Sequence, residues 1–178
     1  MLTIPGWTGS GPEHWQSRWE RADPGIRRVE QADWDAPAVA DWVAALDASI
    51  REVPAPPVLV AHSLGCLTVA HWAARAATCD VVGALLVAPP DVEHGDTPAP
   101  LRPFAPVPRD RLPFVSVVVA SRDDPFCSFD RAAAIAAAWG AEFVDAGHSG
   151  HLNTAAGLGE WPAGQALLRA LQTRVLRL

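Results

Sequence analysis

Apolar residues fall along this chain in two alternating rhythms. Short, largely apolar runs occur at Leu2–Pro5, Pro57–Ala61, Val81–Ala88 and Phe114–Ala120. Runs of this length suit strands of a parallel sheet covered on both faces, where neither side of the strand meets water. Between them the apolar positions recur at three and four. Trp15 and Trp19 share one face of a helix predicted over Pro12–Ala22. Val39, Trp42, Val43, Leu46 and Ile50 mark a second, with Asp35 as its predicted N-cap. Leu67, Ala70, His71 and Ala74 mark a third, running to about Ala77. Phe129, Ala132, Ala136 and Trp139 follow Ser128, a good cap, and Leu167, Leu168, Leu171 and Val175 belong to a C-terminal helix. Ile26–Gln31 is more polar and predicts a strand nearer the sheet edge; Glu142–Ala146 predicts a last short strand. Pro54, Pro56 and Pro57 end the second helix and force an extended entry into the Pro57–Ala61 strand. Residues 89–113 are proline-rich and without period, and long loops of this kind in compact domains are often functional. Strands alternating with helices predict an α/β fold: a mostly parallel sheet with helices on both faces.

Composition narrows the classes. A length of 178 residues, with no repeat or linker, predicts a single domain over 1–178. The net charge is −6, and the 14 basic residues are all Arg and are spread out. A nucleic-acid partner would call for a basic patch or stripe, so none is expected. No stretch approaches the roughly 18 to 20 apolar residues that cross a bilayer. The first residues lack the basic start and long apolar core of a signal peptide. Cys66, Cys79 and Cys127 form no C-x-x-C pair, and an odd count points to free thiols in a reducing compartment. These features predict a cytoplasmic protein. No Cys and His share ligand spacing, so no metal is expected.

The chemistry centres on Ala61-His62-Ser63-Leu64-Gly65. An apolar run stops at a serine between small residues and a helical pattern starts at once. That is the signature of a nucleophile elbow, G-x-S-x-G, with Ala61 in place of the first glycine. A serine nucleophile needs a base and a carboxylate to orient it. Asp123 and Asp124 follow the Phe114–Ala120 strand, before Pro125; His148 and His151 follow the last strand in a glycine loop. Each candidate thus ends a different strand, in the order Ser, Asp, His found in α/β-hydrolases. Gly150 and Asn153 around His151 favour that residue as the base. Oxyanion donors are expected at the Leu64 N–H, which opens a helix, and at the Trp7 N–H, in the glycine-rich loop after the first strand. Trp7, Trp161 and His148 are candidates to line a substrate pocket; His62 and His71 read as structural.

Several segments together resemble a known family: Ile4-Pro5-Gly6-Trp7, the elbow, Ser121-Arg122-Asp123-Asp124-Pro125-Phe126, Trp139-Gly140-Ala141, Gly150-His151-Leu152-Asn153 and Gly157-Leu158-Gly159-Glu160-Trp161-Pro162. They resemble the small cap-less α/β-hydrolases similar to retinoblastoma-binding protein nine and its bacterial YdeN-type relatives, over nearly the whole chain. The resemblance implies a triad of Ser63, Asp124, directly before the proline, and His151, in the G-H-[ILF]-N position. It implies hydrolysis of small esters or amides through an acyl-enzyme, without a cofactor. Some members are discussed as binding proteins, so a scaffold with little turnover is the alternative. A nucleotide-binding Rossmann domain fits poorly, because Gly6, Gly9 and Gly11 are out of register with G-x-G-x-x-G.

Overall fold

The computed structural model describes residues 1–76 and 80–177. The C-terminal limit expected for the third helix, Ala77, and one of the thiols, Cys79, lie outside the described residues.

Among the described residues six parallel strands form one sheet: β1 (Leu2–Ile4), β2 (Arg27–Arg28), β3 (Val58–His62), β4 (Gly83–Val87), β5 (Val115–Ala120) and β6 (Glu142–Asp145), in the order β2-β1-β3-β4-β5-β6. The helices α1 (Trp15–Ala22), α2 (Val39–Glu52), α3 (Leu64–Ala73), α4 (Phe129–Trp139) and α5 (Pro162–Val175) cover it. The period of two along each strand separates two cores. Leu59, Ala61, Ala84, Leu86, Val118 and Ala120 face α2, α3 and α4. Val58, Val60, Leu85, Val87, Val117 and Val119 face α1 and α5. Burial on both faces explains why β3, β4 and β5 read as largely apolar runs, with Ser116 the one polar residue inside them and His62 at the end of β3.

Several boundaries differ from the sequence expectation; α3, for one, ends at Ala73 rather than near Ala77. Helix α1 starts at Trp15 rather than Pro12, because His14 is the N-cap and its Nδ1 accepts the Gln16 N–H. Asp35 does not cap α2. The cap is Ala38, without a side-chain bond, and Asp33 instead accepts the Asp35 and Ala36 N–H groups in a turn ahead of Pro37. The second strand shrinks to Arg27–Arg28, since it pairs only with the three-residue β1. Ser128 does cap α4, accepting the Arg131 N–H. The irregular segment carries one 3₁₀ turn, Ala99–Phe104, which buries Leu101 and Phe104. Glu93 anchors that segment to α4: it accepts the Val107 N–H and pairs with Arg109 and Arg131.

The strand order positions the site. From β1 the chain runs outward to β2 and then returns to β3 on the other side of β1. The loops leaving β1 and β3 therefore part at their carboxyl ends, and such a switch point leaves a crevice for a ligand.

Candidate active site

Ser63 sits at this crevice, between β3 and α3, with φ 54° and ψ −125°. A positive φ at a residue with a Cβ is strained and must be imposed by its surroundings. Two glycines let the backbones close on it. A Cβ on Gly65 would lie 2.2 Å from the Ile4 carbonyl oxygen, and one on Gly6 would lie 2.7 Å from Ser63 Cβ. Ala61 takes the other small position of the elbow and is fully buried opposite Ile4. Gln16 fastens the same region: its buried amide donates to the Val60 and Ile4 carbonyls and accepts from Ser10 Oγ.

The ends of β5 and β6 bring two more candidates to Ser63. His151 Nε2 lies 2.8 Å from Ser63 Oγ, and its Nδ1 lies 2.9 Å from both carboxylate oxygens of Asp124. A carboxylate accepts, so Nδ1 carries the ring proton and the Nε2 lone pair faces the serine hydroxyl. The side chains of His151 and Asp124 are only 8% and 3% exposed, so this chain of hydrogen bonds is shielded from water. Asp124 also accepts the Phe126 N–H, in the turn that Pro125 makes. Asp123 points elsewhere. It accepts from Ser121 Oγ and from the Gly150 N–H, and these two bonds hold its carboxyl below the usual range. It fastens the loop that carries His151 rather than touching the ring.

A cleft of about 610 Å³ opens over Ser63. Trp7, His62, Leu101, Phe126 and His151 line it, with Asn153 to Ala155 at its rim. The Phe126 ring lies 4.5 Å from that of His151, and Trp7 is fixed by its Nε1 donating to the Asp35 carbonyl. The backbone before Trp7 is packed on the elbow, since a Cβ on Gly6 would lie 3.2 Å from Leu64 N. The two expected oxyanion donors, Trp7 and Leu64, thus belong to segments in contact beside Ser63. A second cleft of about 580 Å³, at Arg111, Phe114, Glu142 and Arg174, lies among the amino ends of the strands, away from Ser63.

Two pocket expectations are corrected. Trp161 is 6% exposed and does not line the cleft; it stacks on Trp19 at 6.0 Å and packs on Trp15 at 4.9 Å, inside the core under α1 and α5. His148 is exposed and lies beside the carboxylates of Asp123 and Asp145, outside the cleft lining.

Two histidines not proposed for the pocket line the cleft: His14, and His62, which the sequence reads as structural. Burial, with Arg28 and His151 nearby, lowers His14 to about 4. Burial, then the His151 and His14 charges, pushes His62 well below the ordinary histidine value. Both are neutral near pH 7. The sequence signal for His14 was its place before Trp15 at a helix start. His62 had none beyond adjacency to the serine. His71, as expected, is structural and bonds the Phe104 carbonyl. Cys66 and Cys127 are buried free thiols, which burial raises well above the usual thiol range for Cys66 and to about 12 for Cys127. They are therefore poor nucleophiles. Among the described residues no three His, Cys, Asp or Glu side chains group to hold a metal, and no helix is long and apolar enough to cross a membrane.

Known proteins share this architecture. A YdeN-like hydrolase from Pectobacterium atrosepticum is 33% identical, with a TM-score of 0.88 over 98% of this chain and 91% of that one. The ydeN gene product of B. subtilis is 22% identical, with a TM-score of 0.74 over 97% of each chain. The mouse α/β hydrolase domain-containing protein 10 shares the fold at 12% identity, with a TM-score of 0.70 over 99% of this chain and 88% of that one. Comparison with curated proteins gives no match. The family model described as serine hydrolase matches residues 1–170, so the chain belongs to the serine hydrolase family, in its YdeN-type branch.

Proposed function

We propose that this hydrolase cleaves small uncharged esters or amides through an acyl-enzyme, with Ser63 as nucleophile, His151 as base and Asp124 as orienting carboxylate. The observation that carries the reading is the shielded chain from Ser63 Oγ through His151 to Asp124, opening onto a cleft at the switch point. As Ser63 Oγ bonds to the substrate carbonyl carbon, its proton passes to His151 Nε2 and the carbonyl electron pair moves to oxygen. The Leu64 and Trp7 N–H groups receive that oxyanion, and Leu64 adds the positive end of the α3 dipole. Collapse breaks the bond to the leaving alcohol or amine, which takes the proton from Nε2. A water then repeats the sequence on the acyl-serine. Asp124 stays ionised and stabilises the imidazolium.

The lining supports the substrate class. Among the described residues it includes no Asp, Glu or Arg. A charged group seated there would lose water without gaining an oppositely charged Asp, Glu or Arg, which is costly. Trp7, Pro90, Leu101 and Phe126 offer apolar contact instead. The substrate we propose is a small molecule, met in the cytoplasm, with neither nucleic acid nor membrane as partner and no metal or cofactor in the steps.

The test is covalent labelling with a fluorophosphonate, mapped by mass spectrometry, together with turnover of nitrophenyl esters of rising acyl length. Labelling at Ser63, lost in Ser63→Ala along with turnover, is the expected result. An unlabelled Ser63 in the folded protein would overturn the reading in favour of a binding protein on a hydrolase fold.

A further inference from the structure

The backbone that carries His151 is gripped by two buried rings from far away in the chain. His62 Nε2 donates to the His151 carbonyl at 2.9 Å, and Trp15 Nε1 donates to the Leu152 carbonyl at 2.9 Å. A carbonyl oxygen only accepts, so the His62 ring carries its proton on Nε2. His62 is 5% exposed and Trp15 1%. The segment they hold is strained. Leu152, fully buried, has φ 51°, and Gly150 also has φ 51°. A leucine stays in the left-handed region only where its surroundings impose it. From the amino side, Ser121 Oγ accepts the Ser149 N–H and Asp123 accepts the Gly150 N–H.

We propose that His62 and Trp15 are positioning residues: a two-point clamp on the 151–152 backbone that fixes the His151 ring against Ser63. The proposal rests on the hydrolase reading above. Neither ring needs to touch the reacting atoms. His62 immediately precedes Ser63 on β3, so one residue ties the nucleophile's own strand to the backbone of the base. The hydrogen bond between Ser63 and His151 is then not left to two independent loops. His62 is buried and neutral, so the clamp adds no positive charge beside the imidazolium that forms during turnover.

Three variants of the full chain test this. His62→Gln keeps an N–H donor near the place of Nε2. His62→Leu keeps bulk and loses the donor. Trp15→Phe keeps a ring and loses Nε1–H. Two quantities are read: kcat and KM on one nitrophenyl ester, and the proton resonance of the Nδ1–H shared by His151 and Asp124. Small misplacement of a catalytic group costs on the order of a hundredfold, so His62→Leu is expected to lose about that much kcat with KM within about threefold. His62→Gln is expected to recover kcat to within about fivefold of wild type, and Trp15→Phe to lose about tenfold. The resonance should stay sharp in wild type and His62→Gln and broaden away in His62→Leu. A folded His62→Leu that keeps kcat within about twofold, or a His62→Gln as slow as His62→Leu, overturns the clamp. Should His62→Leu fail to fold, Trp15→Phe decides: unchanged kcat and an unchanged resonance overturn the clamp, and loss of kcat at constant KM supports it. If wild type neither labels with fluorophosphonate nor turns over, the hydrolase reading fails. The resonance alone then judges the clamp: its survival in His62→Leu overturns it, and its loss there supports it.

Discussion

Asp123 and Asp124 are chemically identical neighbours, and their surroundings assign them different tasks. Asp124 faces both its oxygens to His151 Nδ1, whereas Asp123 fastens the Ser121 hydroxyl and the Gly150 N–H. Asp124→Asn is therefore expected to cost on the order of ten-thousand-fold in kcat, because the amide favours the wrong imidazole tautomer. Asp123→Asn keeps an acceptor for the Gly150 N–H and should cost about tenfold or less. Steady-state kinetics on both variants check this, and a reversed order would refute the assignment. The turn at Pro125 left the choice between the two open, and Asp124 followed only from the family resemblance, which puts the carboxylate directly before the proline. The choice of His151 was legible from Gly150 and Asn153. Trp161 was not. Its left-handed backbone, φ 45°, and its stacking on Trp19 depend on the chain returning from far away, which no local pattern records. His62 was read as structural, but its partner was not legible for the same reason, since that carbonyl lies 89 residues on.

Among the elements, the elbow is a join that tolerates little change. Gly65 allows α3 to start against the end of β1, and a Cβ there would lie 2.2 Å from a carbonyl oxygen that belongs to backbone and cannot swing aside. Gly65→Ala is expected to destabilise the protein by about 3 kcal/mol or more, read as a lower urea midpoint. Ala61→Gly restores the usual elbow pattern and should keep kcat, at a cost of about 1 kcal/mol from a freer strand backbone. Element types and the two-sided burial of β3, β4 and β5 followed from apolar period alone. The starts of α1 and α2 did not, because local side-chain bonds at His14 and Asp33 moved them. The sheet order is equally absent from any local stretch of sequence.

At the scale of the whole molecule, the two neutral histidines beneath the cleft tie stability to pH. The folded value of His14 is about 4, against 6.5 when free, and His62 is lowered in the same sense. Below 6.5 the unfolded chain takes up protons that these buried rings refuse. Their contribution is complete above about pH 6.5 and is lost as pH falls toward 4, by about 3 kcal/mol at pH 4 for His14 alone. Urea denaturation from pH 7 to pH 4 should show this fall. His14→Asn keeps a good N-cap and removes one of the two groups, so its curve should be shallower. An identical slope in the variant would exclude His14 as a source. The clamp itself has a different consequence, one of timing. Ser63 and His151 are 88 residues apart, and Trp15 and its Leu152 acceptor are 137 apart. Closing contacts of such separation is entropically slow, so they are expected to form late in folding. Turnover of a nitrophenyl ester, where the proposed activity holds, should therefore return after far-ultraviolet circular dichroism has already recovered. On the reading proposed above, a chain released from denaturant, or still emerging from the ribosome without β6 and its loop, would carry an unarmed nucleophile: a serine of the first half becomes reactive only when the last quarter of the polypeptide closes over it.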